Sequence, residues 1–84
     1  MTDDEFDVLD ELYFVYSFDH VKDELSWESE HLKTVLKVLV DKGWVKCFKD
    51  VHRELTKEEV EFDSNYNQYL YLASKAGLFA HNER

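Results

Sequence analysis

The sequence contains no proline, one cysteine, one methionine and two glycines. A lone cysteine excludes a disulfide framework and a four-cysteine zinc site. Cys47 by itself fits a reducing compartment, and a cytoplasmic protein is expected. With Gly43 and Gly77 the only glycines, there is no Gly-rich phosphate-binding loop. No Pro/Gly-rich tract marks a linker. No run approaches the ~18 uninterrupted apolar residues of a membrane span, so no membrane partner is expected. The first residues, MTDDEFDVLDE, are acidic where a secretory leader would be basic. Base is scarce throughout: 10 Lys+Arg face 19 Asp+Glu, a formal net charge of -9. Taken whole, that charge opposes phosphate binding.

Aromatic residues are plentiful. Six Phe, five Tyr and two Trp stand among 84 residues. Each large ring buries on the order of 150–250 Å2, which offsets the marginal core of so short a chain. Residues 1–84 are therefore read as one folded domain. The set Tyr13, Tyr16, Trp27, Trp44, Phe48, Phe62, Tyr66, Tyr69 and Tyr71 exceeds what one small core needs. Some of these rings are expected at the surface, in wing packing or in an interface.

The spacing predicts a helix over residues 2–16. Thr2 and Glu5 form a capping box, and Phe6, Leu9, Leu12, Tyr13 and Tyr16 define its apolar stripe. Ser17 and Phe18 read as an extended link, after which Asp19 caps a short helix through Leu25. Ser26 or Ser29 caps a longer third helix with apolar Leu32, Val35, Leu36 and Leu39, and Gly43 ends it. Residues 44–50 and 66–72 read as antiparallel strands. Leu70 and Leu72 fall on one face of the second strand, Tyr69 and Tyr71 on the other. Ser74 caps a final helical turn over 75–81. Between the strands, Thr56 and Glu59 form a second capping box, flanked by Leu55 and Val60 as a staple. Residues 51–65 therefore hold either a helical turn or a longer hairpin.

This order of elements, with LKTVLKVLVDKGWVKCF (32–48) and YLYLASKAGLF (69–79), resembles the winged helix-turn-helix domain of MarR-like bacterial regulators. The first segment is similar to a recognition helix running through Leu39, Gly43, Trp44 and Val45 into a wing strand. The second is similar to the returning strand and a Ser74-x-x-Gly77 turn. The resemblance implies an α+β fold, three helices plus a β-hairpin wing, with residues 26–42 entering a major groove of duplex DNA.

Charge is unevenly distributed. Residues 1–30 carry net -10, residues 31–57 net +4 and residues 58–84 net -3. The only basic segment is the expected recognition helix plus the first wing strand. Ser29, His31, Lys33, Thr34 and Lys37 are the candidate contacts on the helix, and Lys46, Lys49 and Arg53 the candidate phosphate contacts at the wing.

Catalytic chemistry finds little support. His20, His31, His52 and His81 show no metal-ligand spacing, so no metal is expected. Cys47 and His52 would point to opposite faces of an extended chain, and Cys47 reads as a core residue. No enzymatic role and no cofactor are expected. Two functions fit: a DNA-binding transcriptional regulator, or an acidic winged-helix module that docks a basic protein or a second copy of itself. Glu28 and Glu30, at the start of the third helix, motivate the second.

Overall fold

The computed structural model describes residues 1–84. The chain folds as α1 (Asp3–Glu11), β1 (Tyr16–Ser17), α2 (Phe18–Leu25), α3 (Ser29–Asp41), β2 (Val45–Asp50), β3 (Arg53–Glu54), α4 (Phe62–Asn65), β4 (Leu70–Ala73) and α5 (Lys75–Asn82). Five helices and a four-stranded sheet thus replace the three helices and simple hairpin expected. The strands are antiparallel in the order β1-β4-β2-β3.

The expected capping box opens α1: Glu5 N–H donates to Thr2 Oγ1 at 3.1 Å, and Thr2 N–H donates to Glu5 Oε1 at 2.8 Å. The helix stops at Glu11 rather than running to residue 16. Leu12 leaves helical geometry, and its carbonyl accepts from Ala73 N–H at 2.9 Å. Tyr16 and Ser17 then pair with Tyr71 and Leu70 as an edge strand. The helical spacing of Tyr16 was fortuitous, because pairing with Tyr71 offers its backbone sheet partners, and Tyr13 lies in the turn that leads there.

The start of α2 also differs from expectation. Phe18 is its first residue rather than part of an extended link. Ser17, not Asp19, caps it through Oγ and His20 N–H at 3.1 Å. Ser26 ends α2 in the left-handed conformation (φ 56°), and α3 starts after Glu28 without any side-chain cap. Neither Ser26 nor Ser29 therefore caps α3. Gly43 ends that segment at φ +76°, a conformation that costs glycine little.

β2 runs antiparallel to β4, with Val45 opposite Ala73 and Cys47 opposite Tyr71. The other edge of β2 pairs with the two-residue β3 around a tip at Val51 and His52. Thr56 and Glu59 form the expected reciprocal bonds, at 2.9 and 3.3 Å, but they close a turn rather than a helix. The helical turn of the connection comes later, at α4. Tyr66 caps that turn, so β4 begins at Leu70 instead of residue 66. Ser74 caps α5 as expected, its Oγ accepting from Gly77 N–H at 3.1 Å.

One core unites these elements, built on Val8, Leu9, Leu12, Phe18, Val21, Leu32, Leu36, Leu39 and Tyr71 among others. Cys47 lies within it, and burial pushes its thiol up to about 12. Such a thiol is inert near neutral pH. Tyr71 is buried completely and satisfies its hydroxyl on Tyr66 O at 2.5 Å. No helix is long and apolar enough to cross a membrane.

Candidate nucleic-acid interface

The core holds α3 by Leu32, Leu36 and Leu39. Of the positions between them, Val35 packs against the core and the polar ones face outward. Lys33, Thr34 and Lys37 share a shallow depression with Glu30, Val38 and Asp41. Lys33 Nζ lies 4.7 Å from the centroid of Tyr66, and Lys37 Nζ 5.7 Å from that of Phe62. The aromatic residues around α4 therefore seat both lysine heads by cation–π attraction. Thr34 Oγ1 donates to Glu30 O at 2.9 Å, which leaves its lone pairs to accept.

Ser29 opens α3 and is exposed. His31 stacks on Trp27 with centroids 4.0 Å apart, and its Nε2 lies 2.7 Å from Asp4 Oδ2 of α1. That hydrogen bond draws His31 away from the Lys33–Lys37 group.

The wing residues form a second group. Lys49 and Arg53 line a recess of about 560 Å3 with Leu55, Glu59, Glu61, Asn65, Gln68 and Tyr69. Arg53 donates to Glu59 Oε2 at 2.7 Å. Hydrogen bonds from Thr56 N–H, then from Arg53 and the Thr56 hydroxyl, hold the Glu59 carboxyl below its ordinary range. Glu59 is therefore a carboxylate wherever the protein is near neutral. Lys46 points elsewhere along β2 and lies 3.5 Å from Glu54. Lys49 has no ion-pair partner.

The structure thus brings Lys33, Thr34 and Lys37 together, and Lys49 with Arg53. It leaves His31 and Lys46 apart from both groups. The sequence reading missed the pairing. His31, Lys37, Lys46 and Arg53 each face a carboxylate at 2.7–4.0 Å. Only the i,i+4 pair Lys37–Asp41 was legible from spacing. The others join residues whose meeting depends on the fold.

Helix α3 packed after α2, followed by a β2–β3 wing and a returning β4, defines a winged helix-turn-helix domain. Among solved structures, the chain is similar to one described as "Multiple Antibiotic Resistance Repressor, MarR". The TM-score is 0.76 over 99% of this chain and 53% of that chain, at 20% identity. The likeness is one of fold, and this chain spans about half the length of that protein. No family model matches the chain, and no curated protein matches it.

Proposed function

We propose that this domain is a DNA-binding module of a cytoplasmic transcriptional regulator. One observation carries the reading: the only net-basic segment, residues 31–57, supplies the exposed side of α3 and the adjoining wing of a winged helix. Helix α3 would read a major groove through Ser29, His31, Lys33, Thr34 and Lys37. Lys46, Lys49 and Arg53 would hold phosphates beside it. The internal ion pairs do not forbid this, because exposed pairs are worth only about 0–1 kcal/mol and a phosphate can replace the carboxylate. They do predict weak binding that falls steeply with salt.

Titration of mixed-sequence duplex DNA by fluorescence anisotropy across a salt series tests the reading. Affinity should fall by about ten-fold or more between 50 and 200 mM salt. The double variant Lys33→Glu, Lys37→Glu should abolish it. Absence of binding even at low salt overturns the proposal.

A second reading rests on the same ion pairs. If Asp41, Glu54 and Glu59 keep their cations and Asp4 keeps its hydrogen bond to His31, only Lys33 and Lys49 of the candidate cations stay free, a weakly charged face suited to a protein partner. It predicts no retention on duplex DNA at any salt.

A further inference from the structure

Away from α3 and the wing, the link between α1 and β1 exposes large rings. Phe14 is 70% exposed and Tyr13 41%. Together with Tyr16 of β1 they line a recess of about 360 Å3. Its walls are completed by Asp10 and Glu11 near the end of α1 and by His20 and Glu24 on α2. That volume lies within the range of small-molecule sites.

Two of the rings meet at an angle, and Tyr13 packs edge-on against His81, with centroids 5.4 Å apart. Phe14 meets Tyr16 edge-on, with centroids 6.5 Å apart and planes at 70°. His20 stacks on Tyr16 at 4.0 Å and supports it. Tyr13 is anchored from the other side, its hydroxyl donating to Asn82 Oδ1 at 2.8 Å. Two carboxylates of the lining are unneutralised: neither Glu11 nor Glu24 forms an ion pair anywhere in the molecule. Asp10 differs, since its Oδ1 lies 3.1 Å from His81 Nε2. No Lys or Arg lines the recess.

Each feature selects against a class of ligand. Unpaired carboxylates repel anions. Aromatic walls offer nothing to a hydrated metal ion that water does not. An alkylated ammonium satisfies both, because its methyl groups cover the rings while its charge meets the ring quadrupoles and the carboxylates. We propose that this recess binds a small organic cation of the trimethylammonium type, between Tyr13, Phe14 and Tyr16, with Glu11 and Glu24 supplying counter-charge. The proposal stands apart from DNA binding and does not require it.

Choline is the probe, titrated into the full chain and followed by 1H–15N NMR. Its neutral isostere, 3,3-dimethylbutanol, and a lysine-rich peptide form the comparison arms. Choline should shift the amides of residues 13–24 saturably, and the isostere should bind at least about ten-fold more weakly. Phe14→Ala and Glu24→Gln should each weaken choline binding by about five-fold, with the rest of the spectrum unchanged. Both side chains are exposed, so neither change threatens folding. Equal binding of the isostere, indifference to both substitutions, or no shift at about 50 mM choline (a free energy no better than roughly -2 kcal/mol) would overturn the proposal. So would a lysine peptide that displaces choline and binds at least about ten-fold more tightly, since the occupant would then be a protein.

Discussion

Two faces of this domain handle charge in opposite ways. On the side of α3 and the wing, three of the five candidate Lys and Arg contacts already hold a carboxylate, Lys37 with Asp41, Lys46 with Glu54 and Arg53 with Glu59, and His31 is hydrogen-bonded to Asp4. At the α1–α2 recess, carboxylates and aromatic rings stand without a cation, apart from the Asp10–His81 contact. Part of the net +4 of the segment is therefore spent inside the fold, where Glu5 and Glu59 from outside the segment hold Lys42 and Arg53. Part of the segment with net -10 keeps its full field. Charge counted along a chain predicts the surface only where the fold does not bring opposite charges together.

Both faces hang on one core, and the strongest way to break the comparison is to disturb that support. A Cβ at Gly77 would lie 2.1 Å from Trp44 O and 3.1 Å from Leu9 Cδ2. The first of these is backbone, already accepting from Ser74 N–H at 2.8 Å, so it cannot yield cheaply. Gly77→Ala should cost about 3 kcal/mol and lower Tm by about 15 °C. Calorimetry measures the loss. DNA and choline binding should then fail together on heating; survival of one after the other is lost would show that the faces unfold separately.

A smaller effect follows from the buried side of the charge network. Glu5 is 5% exposed and accepts from Lys42 Nζ at 2.5 Å, while Lys42 lies over Trp44. Burial pushes the Glu5 carboxyl up, but the Lys42 hydrogen bond, with those from Thr2, outweighs it and holds the group below its ordinary 4.5. The folded state thus binds this proton less readily than the unfolded state. Its contribution is fully present above about pH 4.5 and is lost as pH falls through the depressed value. Glu5→Gln should cost about 1–2 kcal/mol at neutral pH, less than a fully buried pair because Lys42 is 40% exposed. Urea unfolding between pH 3 and 7 should show that the variant lacks this part of the acid dependence.

The smallest effect on stability sharpens the comparison most. Glu54→Gln with Glu59→Gln removes the partners of Lys46 and Arg53. Stability should change by less than about 1 kcal/mol per pair. DNA affinity at fixed salt should rise by about three- to ten-fold, because two cations become free to neutralise phosphate. Unchanged affinity in the anisotropy titration would mean that the wing does not reach the backbone.

Much of the fold was legible from local signals. The capping boxes at Thr2/Glu5 and Thr56/Glu59, the cap at Ser74 and the positive φ of Gly43 each follow from short-range chemistry. The alternation that buries Tyr69 and Tyr71 beside half-buried Leu70 and Leu72 was readable too. Two failures are local, the cap of α2 at Ser17 rather than Asp19 and the missing serine cap of α3, and the larger ones lie where a distant partner intervenes. Helix α1 ends early because β4 takes the backbone of Leu12, Tyr16 and Ser17. Tyr66 joins α4 rather than a strand, placing its ring against Phe18 at 5.1 Å. For the candidate interface, residue types were visible but not their occupation. Phe14, the most exposed of the large rings, drew no notice because exposure has no sequence signature of its own.

By itself, then, the sequence determined the caps of α1 and α5 and the end of α3 at Gly43, which side of each element is apolar, and that residues 31–57 are the one segment with net positive charge. These depend on hydrogen bonds and periodicity that a short window contains. Tertiary structure alone decided that His31 meets Asp4, that Lys33 rests over Tyr66, and that Phe14 and Tyr16 form a recess with Glu11 and Glu24 unpaired. Electrostatic and cation–π attraction act over a few ångströms in space, whatever the separation along the chain, so only the folded arrangement determines which charges are spent and which remain.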